Sequence, residues 1–115
     1  MHEIGIANAI IEAGQAETAR HAGSKLLRIG VRIGTLAGVD NDALRFAFAA
    51  LTQGTQLDGV GFEIQSCPRR NLCLGCGHEF ESALYSEPCP RCASEQIILA
   101  GGEELDLAYV ELEEA

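Results

Sequence analysis

From Glu3 to about His21, the apolar residues Ile4, Ala7 and Ile11 recur at helical spacing, flanked by Ile6, Ile10 and Ala13. Asn8, Glu12 and Gln15 fall on the opposite side, so the spacing predicts an amphipathic helix, weakened inside by Gly14 and stopped near Gly23. The period then changes: Leu27, Ile29, Val31 and Ile33 alternate with Arg28, Gly30, Arg32 and Gly34, the pattern of a half-buried strand. Gly34 and Gly38 bracket a turn, and Asp40 is placed to cap a second helix whose Leu44, Phe48 and Leu51 share a face. Gly54 is placed to end that helix, and Val60, Phe62 and Ile64 alternate with Glu63 and Gln65 in a second strand.

Strand, helix and strand at this spacing form a βαβ unit with parallel strands and a right-handed crossover. From Cys67 the texture alters, because Cys, Pro, Gly and Arg crowd residues 67–94 and little there can pack as a core. Ile97, Ile98 and Leu99 then resume an apolar strand, Gly101-Gly102 turn, and 105–112 form a last strand whose alternation slips between Tyr109 and Val110. The expected fold is α+β with α/β-like connectivity: a small mixed sheet with two helices, plus an inserted cysteine-rich module whose chemistry, below, makes it zinc-ribbon-like. The expected boundaries are 1–66 for the first part of the α/β domain, 67–97 for the insert and 98–115 for the returning strands.

Composition adds limits. The 115 residues suffice for one domain with a real core, since 47% are apolar and 22% charged. No apolar run approaches the roughly 18 residues that span a bilayer, and no secretory signal pattern opens the chain, so a soluble, cytoplasmic protein is expected. The net charge is −9, and the last 18 residues hold six acidic side chains and no basic one. Such a surface repels phosphate backbones, which disfavours nucleic-acid binding. It suits a basic partner or a cation, or it is simply a solubilising tail.

The chemistry concentrates in two CxxC pairs, Cys73-Leu74-Gly75-Cys76 and Cys89-Pro90-Arg91-Cys92, with twelve residues between them. Thiolates two residues apart on a tight turn can face one ion. Two such turns supply four sulfurs at about 2.3 Å, the tetrahedron that Zn²⁺ prefers. Gly77 after the first pair supports the turn. Iron in a four-thiolate site, a redox pair and a disulfide framework are the weaker alternatives. Four thiolates leave no open position for substrate, so the site is read as structural, its metal replacing the core this segment lacks. Cys67 and His78 are read as bystanders.

His2 beside a free amino group would form a compact chelate of terminal amine, backbone amide and imidazole, a donor set that suits Ni(II) or Cu(II). A lone exposed histidine is the plainer reading. The combination is more specific: Met1-His2-Glu3 opens an amphipathic helix, followed by Ile33-Gly34-Thr35-Leu36-Ala37-Gly38-Val39, then Ala43-Leu44-Arg45-Phe46-Ala47-Phe48, then the paired CxxC motifs and Gly101-Gly102-Glu103-Glu104-Leu105. In this order the set resembles the HypA/HybF family of nickel metallochaperones for [NiFe]-hydrogenase maturation.

The resemblance implies a nickel-binding domain holding a zinc insert. It implies His2 as the essential nickel ligand, with the Met1 amine and Glu3 backbone completing the chelate, and Asp40 at the position of an acidic residue that approaches nickel in relatives. Helix capping is the alternative role for Asp40, and the two are compatible. Cys73, Cys76, Cys89 and Cys92 carry over as zinc ligands. The implied partners are a nickel-handling GTPase of the HypB type and the hydrogenase large subunit, for a monomer or weak homodimer. Ile4-Gly5, Asn41 and Asp106 depart from the family pattern, and no ligand position is lost.

No phosphate-binding loop or catalytic triad pattern is present in the sequence, so a non-enzyme is expected. The rival readings are a zinc-ribbon interaction module without transferable metal and an iron-bearing electron carrier.

Overall fold

The computed structural model describes residues 2–82 and 87–114, and the elements run α1 (Glu3–Ala19), β1 (Lys25–Gly34), α2 (Asn41–Thr52), β2 (Gly61–Cys67), β3 (Arg70–Cys73), β4 (Glu79–Glu81), β5 (Ile97–Gly101) and β6 (Leu105–Glu113). They form two three-stranded sheets, ordered β2-β1-β6 and β4-β3-β5. The chain divides into two compact units, one of 1–32, 39–65 and 106–115, the other of 33–38 and 66–105.

In the first unit α1 packs against α2. The buried face of α1 is Ile6, Ala7, Ile11 and Gly14, whereas Ile4 is 64% exposed, contrary to the face expected from spacing. Gly14 is a packing position: an added Cβ would meet Ile29 Cδ1 at 2.6 Å, so any side chain there would force the buried Ile29 to move. Asp40 caps α2 as expected, its side chain accepting from the Ala43 N–H at 3.1 Å. Leu44, Ala47, Phe48 and Thr52 face inward, and Leu51 is 38% exposed. The hydroxyl of Thr52 is satisfied by the Phe48 carbonyl at 2.9 Å. Phe48 stacks on Phe62 of β2, with centroids 4.4 Å apart and rings 7° from parallel.

β1 is the central strand, with Ile29, Val31 and Ile33 buried. Its other row, Arg28, Gly30 and Arg32, meets Glu111, Tyr109 and Asp106 of β6 in that order, so β1 and β6 run antiparallel. The absence of a side chain at Gly30 lets the Tyr109 ring cross β1 and donate its hydroxyl to Glu63 of β2 at 2.9 Å. Gly61 lies against Arg28 and Glu63 is reached across Gly30, so β2 runs parallel to β1, as a βαβ connection requires. Asp106 and Tyr109 reach the same row although three residues apart. The alternation therefore slips between Asp106 and Tyr109. Asp106 is held by two bonds from Arg32, at 2.9 and 2.7 Å.

In the second unit β3 pairs antiparallel with both β4 and β5, Asn71 facing Phe80 on one side and Leu99 on the other. Asn71 is 2% exposed yet satisfied, donating to Ser82 Oγ at 2.8 Å and accepting from Arg69 Nε at 3.2 Å. Residues 34–36 add backbone bonds to Glu104, Cys67 and Gly102.

Candidate metal centres

Each CxxC pair is built by the same backbone device. The Cys73 carbonyl accepts from the Gly77 N–H at 2.8 Å and the Cys73 N–H donates to the His78 carbonyl at 2.9 Å. Sixteen residues later the Cys89 carbonyl accepts from Ala93 at 2.8 Å and the Cys89 N–H donates to Ser94 at 3.0 Å. The turn needs positive φ at its fifth residue, supplied by Gly77 at 78° and by Ala93 at 62°, the only non-glycine residue with positive φ among those described. Sequence reading identified Gly77 but not its counterpart Ala93, whose role shows only when the two knuckles are laid in register.

The two knuckles bring the Sγ atoms of Cys73, Cys76, Cys89 and Cys92 within 4.8 Å of one another, with Cys73 and Cys89 buried and the other two exposed. Cys73 and Cys92 are 3.5 Å apart and Cys76 and Cys89 3.7 Å, well beyond a disulfide bond of about 2.05 Å. They match the edge of about 3.8 Å expected of a tetrahedron with 2.3 Å metal–sulfur bonds. N–H groups are aimed at sulfur, as for Arg91 on Cys89 at 3.4 Å. Burial pushes the Cys73 thiol up, but hydrogen bonds from the Cys76 backbone, Cys92, Gly75 and Cys76 outweigh it and bring the group down to about 6. The Ser94 N–H draws Cys92 down, while its thiol neighbours, Cys73 foremost, together with burial push it up to about 12. Four sulfurs this close cannot all ionise without a cation among them, and a divalent soft-acid metal fits that requirement.

Two sequence-singled neighbours stand outside the cluster. His78 contributes its carbonyl to the first knuckle and stacks its ring near Phe80 at 6.0 Å. Cys67 ends β2, half-buried, and its carbonyl accepts from Thr35.

At the start of the chain His2 is exposed in extended conformation (φ −82°, ψ 135°) and makes no side-chain cap bond, while its carbonyl accepts the first helical bond, from Ile6 at 3.2 Å. Met1 lies outside the described residues. The Glu3 carboxylate accepts from the Asp40 backbone N–H at 3.2 Å and so ties the first turn of α1 to the cap of α2. This bond places His2, Glu3 and Asp40 in one neighbourhood. Reading the sequence assigned Glu3 only its backbone and missed this use of its side chain, which no local spacing signals.

Fold and cysteines together define a small α+β protein with two helices and two small sheets among the described residues, carrying a four-cysteine group that can hold a metal ion. A family model described as "Hydrogenase/urease nickel incorporation, metallochaperone, hypA" matches residues 1–112. The chain belongs to the HypA family. Hydrogenase maturation factor HypA of Acidithiobacillus ferrooxidans is 34% identical over 113 residues, covering 98% of this chain and all of the relative. That of Desulfitobacterium hafniense is 37% identical over 114 residues, covering 99% and 100%. Among solved structures, that titled "Solution structure of the Ni metallochaperone HypA from Helicobacter pylori" shares the fold over the full length of both chains, with a TM-score of 0.66 at 21% identity. One titled "Solution structure of HypA protein" has a TM-score of 0.70 at 23% identity, covering 98% of this chain and 97% of that one.

Proposed function

We propose that this chain is a nickel metallochaperone: it binds Ni(II) at Met1-His2-Glu3 and delivers it for maturation of [NiFe]-hydrogenase. His2 supplies imidazole nitrogen, Met1 its amine and Glu3 its backbone amide, a nitrogen-rich donor set suited to Ni(II). Asp40 approaches from the cap of α2. One of its oxygens is used by the Ala43 N–H, and a carboxylate has a second to offer. The observation that carries the reading is the Glu3–Asp40 bond, which ties the chelating segment to a rigid helix end while His2 itself stays exposed.

Cys73, Cys76, Cys89 and Cys92 hold zinc, whose double positive charge offsets half of the thiolate charge and whose bonds fix the two knuckles. This metal is structural and the protein is not an enzyme. Hydrogenase maturation factors are the relatives that match along nearly the whole chain, which supports a place in that process. The proposed partners are a HypB-type nickel GTPase and the hydrogenase large subunit, met in the cytoplasm by a monomer or weak homodimer. No helix among the described residues is long and apolar enough to cross a membrane.

The test is a calorimetric titration of nickel into untagged, zinc-loaded protein beside His2→Ala. One site in the parent and none in the variant, with zinc retained by both, is expected. Equal binding in both would leave a zinc-ribbon interaction module instead.

A further inference from the structure

The second unit carries a groove of about 850 Å³ that neither metal centre uses, lined by Leu36, Arg69, Glu87, Pro88, Glu95, Ile97, Leu99 and Glu103. Its floor is apolar: Ile97 and Leu99 project from the same face of β5, and Leu36 and Leu99 are 43% and 37% exposed. Its rim is acidic. Glu87, Glu95 and Glu103 are exposed, and none forms an ion pair among the described residues, whereas Glu17, Glu111 and Asp106 elsewhere each have an arginine. Arg69, the cation among the described lining residues, directs Nε to the buried Asn71. β5 is bonded to β3 on one side, and no described strand lies on its other edge.

An apolar floor, three carboxylates without an ion pair among the described residues and a β5 edge that no described strand covers have a common complement. We propose that this groove binds an extended segment of a partner protein in which apolar side chains alternate with lysine or arginine. The apolar side chains enter between Leu36 and Leu99, the cations reach the three glutamates, and the backbone runs along β5. A second copy of this acidic chain is a poor occupant, since it would bring carboxylate against carboxylate. The inference does not depend on which metal the chain start holds.

The test uses the zinc-loaded full chain, ¹⁵N-labelled, titrated with a blocked peptide of alternating lysine and leucine and with its glutamate–leucine analogue. Shifts confined to residues near 36, 69 and 95–103 are expected with the basic peptide alone. Triple reversal Glu87→Lys, Glu95→Lys and Glu103→Lys is expected to weaken binding about tenfold, the sum of three partly exposed charge pairs. Glu12→Lys, Glu113→Lys and Glu114→Lys changes net charge equally and is expected to leave affinity within about twofold. Equal loss in the two variants would mean attraction to net charge only and overturn the proposal. So would shifts centred on another surface, binding of the acidic peptide, or no binding of the basic one at millimolar concentration. Zinc content of each variant reports that the knuckles remain formed.

Discussion

At the start of the chain His2 is exposed and its imidazole makes no cap bond, and among the described residues one side-chain bond, from Asp40 N–H to Glu3, ties the segment to the cap of α2. In the knuckles Cys73 and Cys89 are buried, each backbone is tied by two hydrogen bonds, and four sulfurs close on one point. An exposed, singly tethered donor set can release its ion by steps, each ligand replaced by water or by an acceptor's ligand. A closed tetrahedron must break several bonds before any acceptor can enter. One protein thus holds donors of both kinds, and on the proposed reading the difference separates cargo from scaffold.

The comparison breaks most severely at a buried cysteine. Cys73→Ala leaves three sulfurs and is expected to lose the metal and with it the order of both knuckles, since apparent binding energies at structural zinc sites reach about 10–16 kcal/mol. Metal analysis together with amide dispersion for residues 70–105 reads the effect, and one zinc per chain in the variant would show that another residue can serve. His2→Ala is expected to abolish nickel binding while changing stability by no more than about 0.5 kcal/mol, because the side chain is exposed and caps nothing. Calorimetry and thermal melts separate the two effects.

Acid sharpens the contrast in the knuckles. Cys73 titrates near 6, below its ordinary value of 9.0, so its contribution to the folded state is complete above 9 and is lost as pH falls through about 6. Cys92, pushed up to about 12, must give up a proton to bind metal at any pH below that. Zinc affinity is therefore expected to rise at least about tenfold per pH unit between 7 and 9, as read by competition with a chromophoric chelator. A flat profile would mean that the thiols are already ionised without metal.

Asp40 separates the two roles proposed for it. Asp40→Ala is expected to cost about 1 kcal/mol of stability through the lost cap, and Asp40→Asn to restore most of that. If the carboxylate also serves nickel, both variants bind nickel more weakly although only one is destabilised. The smallest effect is expected at Ala93. Its φ of 62° is costly for any side chain, so Ala93→Gly should change stability by less than about 1 kcal/mol, the relieved strain offset by the freer unfolded chain. A loss of several kcal/mol would contradict the equivalence of the two knuckles.

The helices, β1, β2 and the four-sulfur cluster were legible because each follows from a local period or a fixed spacing. What escaped involved pairs far apart in sequence. Ile4 and Leu51 fit an apolar face by spacing, but the buried faces centre on Ile6 and Ala47, where the two helices and the sheet meet. Gly14 reads as a weak point and Gly30 only as one position of the alternating row, yet each makes room for a distant residue, Ile29 in one case and Tyr109 in the other. Nothing in the alternation of 97–101 reveals that this strand joins β3 while 105–113 returns to β1. At the chain start, the residue types pointed to a chelate, but the carboxylate of Glu3 bonds a backbone N–H 37 positions away. Such a partner is set by packing and is invisible to spacing.

The most direct test of the division between cargo and scaffold is a timed chelator challenge of protein loaded with one zinc and one nickel. Both metals are counted by mass spectrometry after exposure to excess EDTA. Nickel is expected to leave first and completely while one zinc per chain remains. Zinc leaving before nickel, or both leaving together, would contradict the account.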